Sequence, residues 1–237
     1  MFKKNILIAG GSKGLGYEVV KEFSNMSNLF VFSRKKRNLS KNINFFSVDL
    51  SKEKNTFNAF KALRKKIKKV DLIIFCVGSG TPNSKNELSK KSIMNYLDIN
   101  FFTFSNLINA YLSLFNFQKT NIIVISSIAG KKYIKAPIGY SLAKNSLDFF
   151  VKILAKNLAA NKININLISP GNILINNNNW SKKLKKNPKI VKRYIKSNVP
   201  LNSFIESKEI IDLIRFLIYN SKTITGSDFV IDGGQVL

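Results

Sequence analysis

The chain has 237 residues, 45% of them apolar, which suffices for one α/β domain with its own core. Its 39 Lys and Arg residues outnumber 13 Asp and Glu residues, a formal net charge of +26, and its single cysteine excludes an intramolecular disulfide. No stretch approaches the roughly 20 apolar residues of a membrane span, and the apolar run after Lys4 is too short for a signal peptide. We therefore expect a cytoplasmic protein that has no membrane partner.

A charge this large is typical of proteins that bind nucleic acids or anionic surfaces. The basic residues are, however, scattered over predicted helices, as at 61–69 and 182–186, and form no single basic tail. Lys, Asn, Ile and Phe are all abundant, as an AT-rich genome would encode, so biased composition also explains the charge. We expect no nucleic-acid partner, although the excess still favours acidic substrates or cofactors.

The first predicted elements are a buried strand at 5–9, a glycine-rich turn, and a helix at 14–24. Gly10, Gly14 and Gly16 stand where a dinucleotide-binding turn needs residues without a Cβ, for a tight turn, for the approach of a phosphate and for packing of the helix. The N-terminus of the helix offers N–H groups and a positive dipole end to that phosphate. The candidate cofactor-binding residues of this turn are Gly10, Ser12, Lys13, Gly14, Leu15 and Gly16.

The second predicted strand, 29–32, is followed by Ser33 and Arg34, which open a run of basic residues. In sheets of this kind, an acid at this place binds the ribose 2′-hydroxyl of NAD, whereas a cation accommodates the 2′-phosphate of NADP. Arg34, with Lys13 nearby in the turn, therefore favours NADP(H) over NAD(H). A solvated charge run in a Lys-rich chain explains the same residues without a cofactor.

The third predicted strand, 43–48, ends at Asp49 and Leu50. The Asp49 carboxylate is a candidate acceptor for the adenine amino group of a dinucleotide. Equally, Asp49 or Ser51 is suited to cap the helix predicted at 52–69.

The fourth predicted strand, 72–76, is continuously apolar, as a buried parallel strand should be. It closes on Val77 and Gly78, which form a second candidate turn for close approach of the cofactor. We interpret Cys76 as a core thiol, because the chain contains no histidine that would activate it.

The later elements predict the overall fold. In order, they are a mostly helical segment (86–118), a strand (121–125), a long apolar helix (138–160), a strand (163–168), an Asn- and Lys-rich segment interpreted as a mobile lid (172–199), a helix (207–219) and a last strand (229–231). Strands that alternate with helices predict one Rossmann-type α/β domain over 1–237, with a doubly wound parallel sheet of about seven strands and helices on both faces. Ligands bind such sheets at the carboxyl ends of the strands.

Tyr140 and Lys144 are four residues apart, which places a phenol and an ammonium on one face of a helix. Tyr17 and Lys21 share this spacing by chance, on the helix that follows the glycine turn. Position distinguishes the two pairs, since Tyr140 opens the helix after the fifth strand. Ser127, at the carboxyl end of that strand, precedes Tyr140 by 13 residues.

These side chains fit the reduction of a carbonyl group. The carbonyl becomes an alkoxide when it accepts hydride, and Tyr140 can supply the proton if an ammonium stabilises its phenolate form. Ser127 can hydrogen-bond the carbonyl oxygen. Asn100, inside the helical segment, is placed to hold a kink open and to anchor a water that relays protons toward Lys144.

The chain resembles the short-chain dehydrogenase/reductase family, of the compact single-domain type, over nearly its whole length. The segment 9–16 is similar to the family's cofactor turn, with Ala9 where Thr is usual, and 125–130, 169–171 and 224–234 resemble its other landmarks. The family's Asn-Ser-Tyr-Lys tetrad falls, in order and at its usual spacing, on Asn100, Ser127, Tyr140 and Lys144. The resemblance implies that Tyr140 is the acid/base, that Lys144 lowers its pKa and holds the nicotinamide ribose, and that Ser127 positions the carbonyl. The implied cofactor contacts also include Tyr140, Lys144, Pro170, Gly171 and Ile173; no metal is implied.

Two departures from the family pattern concern the seating of the cofactor. The family's Asn-Asn-Ala-Gly after the fourth strand is here 75–78, Phe-Cys-Val-Gly, so its side-chain support for the sheet is lost. Ile175 replaces the Thr that contacts the nicotinamide carboxamide, which leaves the backbone of Ile173 to hold that amide.

The expected partner is a small-molecule carbonyl or alcohol substrate. The sequence leaves open whether this substrate is anionic or carrier-bound. The resemblance to 3-oxoacyl-carrier-protein reductases is broad, and a basic surface suits an acidic carrier. The segments 76–80 and 170–173 look more like members associated with bacterial surface sugars. A non-catalytic dinucleotide sensor, a third reading, should lack part of the tetrad.

An oligomer is expected from the helices at 101–117 and 138–160, which are apolar on more than one face. Such helices must be buried by something beyond their own sheet. The family's tetramers use these two helices, which implies a homotetramer, with a dimer as the alternative.

Overall fold

The computed structural model describes residues 4–37, 43–81, 86–176, 178–220 and 222–237. Its elements are β1 (Asn5–Ala9), α1 (Gly14–Phe23), β2 (Asn28–Ser33), β3 (Ile43–Ser47), α2 (Glu53–Lys66), β4 (Leu72–Phe75), α3 (Lys90–Leu97), α4 (Thr103–Phe115), β5 (Thr120–Ile125), α5 (Ile138–Leu158), β6 (Ile163–Pro170), β7 (Ile173–Leu174), α6 (Asn179–Lys186), α7 (Pro188–Asn198), β8 (Ile205–Glu206), α8 (Ser207–Asn220) and β9 (Asp228–Ile231). A π-helical turn, Asp98–Phe102, joins α3 to α4, and short 3₁₀ turns lie at Ile128–Gly130 and Ala159–Asn161.

Seven strands form one parallel sheet in the order β3-β2-β1-β4-β5-β6-β9, which confirms the predicted Rossmann-type architecture. The chain winds outward from β1 through β2 to β3, and then in the opposite direction from β4. The carboxyl ends of β1 and β4 therefore flank the topological switch point, where open α/β sheets bind their ligands. Strands β7 and β8 pair separately in a small parallel sheet.

Apolar helices cover both faces of the sheet, which is why its central strands read as continuous apolar runs. On one face α2, α4 and α5 pack, and on the other α1 and α8. Fully buried members of the first cluster are Phe60, Phe104, Tyr111, Leu147 and Val151, and of the second Val19, Val20, Ile210 and Ile214.

The segment 172–199, predicted as a lid, has regular structure around α6 and α7. Asn178 caps α6 by accepting a hydrogen bond from the Ser181 N–H at 2.8 Å. The rings of Trp180 on α6 and Tyr194 on α7 lie 5.1 Å apart and hold the two helices together.

Two further observations concern helix length. The helix predicted at 52–69 ends at Lys66, because the backbone of Ile67 is extended. Within the described ranges, no helix is both long and apolar enough to cross a membrane.

Candidate active site

The glycine-rich turn between β1 and α1 is built by three glycines in different environments. Gly10 has a φ of +89°, and a Cβ there would lie 2.9 Å from the carbonyl carbon of Cys76. A Cβ on Gly16 would overlap the Gly10 carbonyl oxygen, so α1 packs directly on the turn. Gly14 has a φ of +57° and no atom within 4 Å of where its Cβ would stand. The geometry fits a tight turn at Gly10, helix packing at Gly16 and an open approach at Gly14.

The N-terminus of α1 faces this open approach. Lys13 is the N-cap residue, in an extended conformation, and its side chain makes no capping hydrogen bond. The first turn of α1, all of it described, carries no acidic residue. No carboxylate of that turn therefore neutralises the free N–H groups and the positive end of the helix dipole. Such a helix N-terminus suits a phosphate group.

The basic run after β2 lies beside the start of α1. The guanidinium of Arg37 lies 4.7 Å from the centre of the Tyr17 ring, and the Lys21 ammonium 5.3 Å from it. The Tyr17–Lys21 pair thus belongs to a cation–π cluster on α1, apart from Tyr140. Arg34 is exposed, whereas Ser33 is buried at the end of β2.

Asp49 stabilises the turn that leads into α2. One of its carboxylate oxygens accepts hydrogen bonds from the Ser51 N–H at 3.1 Å and from the Ser51 hydroxyl at 2.8 Å. Burial opposes ionisation, but these bonds and the charges of Arg34 and Lys52 outweigh it and hold the pKa of Asp49 below its usual value. Asp49 is therefore an ionised group that supports the start of α2. Leu50 next to it is buried, and its carbonyl accepts from Asn106 at 2.9 Å.

Asn100 is fully buried in the π-helical turn and ties the helix to the loop after β4. Its Nδ2 donates to the carbonyl of Tyr96 at 3.0 Å and to that of Ser79 at 3.2 Å. Its Oδ1 accepts from the Ser79 N–H at 2.9 Å. The side chain thus replaces a backbone partner of the widened turn, as expected for a residue that holds a kink open.

Tyr140 lies at the start of α5, with its phenol beside the hydroxyl of Ser127. Gly80 lies against the phenol ring, with its Cβ position 3.3 Å from a ring carbon. Burial raises the pKa of Tyr140, and the nearby Ser127 hydroxyl opposes this shift without outweighing it. This pKa direction differs from the lowering implied by the family resemblance, because burial has the largest effect in the free protein.

Lys144 is only 2% exposed and donates from Nζ to the carbonyl of Ile125 at 3.1 Å. Its Nζ is 6.0 Å from the centre of the Tyr140 ring. A Cβ on Gly78 would lie 3.3 Å from this Nζ and 3.0 Å from Oδ1 of Asn100, so a larger residue there would crowd both side chains. Burial lowers the pKa of Lys144 to about 8. The structure therefore brings Asn100, Ser127, Tyr140 and Lys144 to one place.

The pKa of Lys144 predicts a pH limit for reduction. The protonated ammonium is the useful form, and it is retained below the pKa and lost above it. We expect kcat/KM, which reports groups of the free enzyme, to be constant up to about pH 8 and to fall at higher pH. A pH–rate profile with a non-titrating carbonyl substrate measures this limit. In Lys144→Arg the residual activity should lack this limb, because a guanidinium stays protonated; a flat wild-type profile up to pH about 10 would contradict the assignment.

The two departures from the family pattern, at 75–78 and at Ile175, have local counterparts in the structure. Burial raises the pKa of Cys76 to about 12, so the thiol is protonated near neutral pH and packs beside Gly10 and Gly16. The carbonyl of Ile173 accepts a hydrogen bond from Nδ2 of Asn178 at 2.7 Å, which leaves its N–H as the group for a carboxamide oxygen. Asn178 is not among the residues that the sequence predicts for the site, although an Asn before a Lys-rich helix is a capping signal.

Pro170 and Gly171 follow at the carboxyl end of β6, beside β9. The Gly171 N–H donates to the carbonyl of Ile231 at 2.8 Å, and a Cβ on Gly171 would lie 2.9 Å from Cβ of Asp232. Both residues therefore lie at the same edge of the sheet as the glycine turn and Ser127.

One further group near the site is not predicted by any sequence motif. Asp148 on α5, buried and one helical turn after Lys144, is bonded to Ser126 and Lys131. Its partners lie 22 and 17 residues away in the chain, so no local spacing reveals the contact.

The chain is similar to known proteins over most of its length. A family model described as Enoyl-(Acyl carrier protein) reductase matches residues 9–235. The 3-oxoacyl-(acyl-carrier-protein) reductase of Mus musculus is 26% identical over 238 residues, which cover 97% of this chain and 97% of that protein. The protein of that name from Buchnera aphidicola subsp. Schizaphis graminum (strain Sg) is 27% identical over 247 residues, covering 99% and 98%.

Solved structures share the fold over the full length. The structure "ElxO with NADP Bound" has a TM-score of 0.88 and 25% identity, covering 99% of each chain. A short chain dehydrogenase from Leptospira borgpetersenii with bound NAD⁺ has a TM-score of 0.86 at 23% identity, covering 99% of this chain and 93% of that one. Proteins of this fold thus hold either dinucleotide.

Proposed function

This chain belongs to the short-chain dehydrogenase/reductase family, and we propose that within it the protein is an NADPH-dependent carbonyl reductase with Tyr140 as the proton donor. Membership makes it an NAD(P)-dependent oxidoreductase. The observation that carries the finer proposal is that Tyr140 lies beside Ser127 and the buried Lys144, across from the glycine turn.

The side chains divide the work of reduction between them. When bound, the reduced nicotinamide supplies the hydride to the carbonyl carbon. The Ser127 hydroxyl holds the carbonyl oxygen next to the phenol, and Tyr140 transfers its proton to that oxygen as the alcohol forms. The Lys144 ammonium then stabilises the phenolate that remains. Asn100 holds the loop at Ser79 in place against this group.

The preference for NADP(H) rests on Arg34. It is an exposed cation directly after β2, where the adenosine ribose of a dinucleotide lies in such sheets. No acid replaces it there, since β2 ends at Ser33 and is followed by Arg34 and Lys35.

We further propose that 172–199 is the substrate lid of a single domain, and that the substrate is anionic or carrier-bound. Helices α6 and α7 contain eight Lys and Arg residues and no acid, and these cations are exposed (Lys182, Lys183, Lys185, Lys186, Lys189, Lys192, Arg193 and Lys196). Relatives named as 3-oxoacyl-carrier-protein reductases act on a substrate of that kind. A sugar or nucleotide-sugar substrate is the alternative, since a nucleotide-sugar is also anionic. The complete tetrad argues against a non-catalytic sensor.

Consumption of NADPH with a set of carbonyl compounds tests the proposal. The set should contain a 3-oxoacyl thioester, a keto-sugar nucleotide and a neutral ketone, each with wild type and with Tyr17→Phe as a matched control. We expect turnover of at least one carbonyl, fastest with an anionic one and weakened by salt. Binding of NADPH without consumption for any carbonyl would favour the sensor.

We also propose a homotetramer, with a dimer as the alternative. The apolar side chains of Leu142, Phe149 and Ile153 are exposed along α5, and Phe149 is 67% exposed. A second copy would remove this surface from water. Light scattering at micromolar concentration should show the tetramer, and Phe149→Glu should dissociate it while Ile190→Glu on α7 does not. A monomeric wild type would refute the proposal.

A further inference from the structure

A buried carboxylate, Asp148, lies next to the reacting groups and has both of its oxygens bonded. The hydroxyl of Ser126, the residue before Ser127, donates to Oδ1. The Lys131 ammonium donates to Oδ2 at 2.8 Å. Asp148 is only 6% exposed, so its charge is poorly screened by water.

The same lysine joins Asp148 to a second carboxylate. Lys131 also pairs with Asp228 at the start of β9, and Asp228 accepts a hydrogen bond from the Ser169 hydroxyl at 2.7 Å. Two carboxylates thus share one ammonium, and when both are ionised the cluster has one more negative than positive charge. Of the two, Asp148 lies on α5, the helix that carries Lys144.

The surroundings of Lys144 make this excess charge important. Asp148 is at position i+4 from Lys144 on α5, where side chains are neighbours. The other titratable groups near Lys144 in the described structure are Tyr140 on the same helix and the protonated thiol of Cys76 from β4. Asp148 is therefore the carboxylate whose charge acts on this ammonium.

We propose that Asp148 is a positioning residue for the reaction, whose buried carboxylate keeps Lys144 protonated at the pH at which the enzyme works. The proposal rests on the proposed function, in which the ammonium stabilises the phenolate of Tyr140. Burial alone drives Lys144 toward its neutral form, and the negative field of Asp148 opposes that loss. Burial raises the pKa of Asp148, while the bonds from Lys131 and Ser126 oppose that rise and fix the carboxylate in place.

A purely structural role for the cluster makes a different prediction. As a brace, Lys131 would tie α5 to the ends of β6 and β9, and removing either carboxylate would weaken the fold to a similar degree. If the cluster instead acts through its charge, removal of Asp148 alone should change the pKa of Lys144. Asp228 also pairs with Lys131 but lies on β9 and not on α5, so Asp228→Asn is the matched control.

The test is the titration of Lys144 itself, measured by NMR on protein with ¹³C at the lysine Cε and assigned by comparison with Lys144→Arg. Asp148→Asn should lower the pKa of Lys144 by about one pH unit or more. Asp228→Asn should leave it within about 0.3 units, which is less than the effect of a neighbouring charge. The alkaline limb of kcat/KM for reduction should move by the same amount in Asp148→Asn. Equal pKa values of Lys144 in both variants would show that the cluster is only a brace.

A second variant keeps the proposal testable if Asp148→Asn does not fold. Lys131→Met with Asp148→Leu replaces the buried ion pair by apolar groups, a change that often preserves stability, and it should lower the pKa of Lys144 as well. An unchanged value there would overturn the proposal. The NMR titration does not depend on turnover, so a shift of Lys144 without any carbonyl reduction would contradict the proposed function while upholding the electrostatic coupling.

Discussion

Tyr140→Phe should lower kcat for carbonyl reduction by about 100- to 10,000-fold, the usual contribution of a positioned general acid. The substitution removes the hydroxyl beside Ser127 and leaves the ring, which packs against Gly80 and lies 6.4 Å from the Tyr96 ring. The variant therefore keeps the packing of the site and loses the proton donor. Cofactor affinity should change little, since the glycine turn and the start of α1 are untouched.

The measurement is steady-state kinetics together with a cofactor titration on the same protein. Tyr17→Phe is the matched control, because Tyr17 has the same spacing to a lysine but lies in the cation–π cluster with Arg37. The control should keep wild-type kcat. Turnover within a few-fold of wild type in Tyr140→Phe would remove Tyr140 from its role.

Asn100→Ala should cost the fold roughly 3 kcal/mol, because it removes three hydrogen bonds from a fully buried side chain to backbone groups, at about 1 kcal/mol each. These groups are the carbonyl of Tyr96 and the N–H and carbonyl of Ser79. The loop that carries Gly78 would lose its anchor beside Lys144, so turnover of the folded fraction should fall as well.

Chemical denaturation with two probes measures the stability change. Asn109→Ala is the control, since that exposed amide on α4 makes one contact of 3.4 Å, to Glu53. It should change the free energy of unfolding by less than about 0.5 kcal/mol. A similar small change in Asn100→Ala would mean that the π-helical turn does not depend on its buried side chain.

Most of the architecture is predictable from local patterns. Continuous apolar runs gave the buried strands, and Gly10, Gly14 and Gly16 marked the turn, because buried parallel strands and positive φ angles leave strong signals in sequence. The positions of Asn100, Ser127, Tyr140 and Lys144 followed from the family resemblance, and the structure brings them together. Their roles in binding and catalysis stay predictions.

What sequence could not provide is the outcome of competing long-range effects. The Lys131–Asp228 contact joins residues that are 97 positions apart, so no local spacing predicts it. Lys131 is also one of many lysines in this chain, and nothing in the sequence singles it out. The direction of the Tyr140 pKa depends on how burial weighs against nearby charges, which no spacing determines. The bond from Asn178 to Ile173 depends on where α6 begins. The end of α2 is set by the extended backbone of a single residue, Ile67, and such helix ends are equally hard to predict from sequence.

The most direct test of the account is a fluorescence titration with NADPH and with NADH at fixed moderate salt, on wild type, Arg34→Ala and Lys36→Ala. Lys36 is an exposed cation of the same basic run and controls for net charge. We expect tight binding of NADPH that falls about tenfold or more in Arg34→Ala, toward the NADH value, because a charge-assisted contact to phosphate contributes about 1.5–3 kcal/mol. Lys36→Ala should behave as wild type. Equal binding of both dinucleotides by wild type would contradict the NADP preference, and binding of neither would contradict the reductase itself.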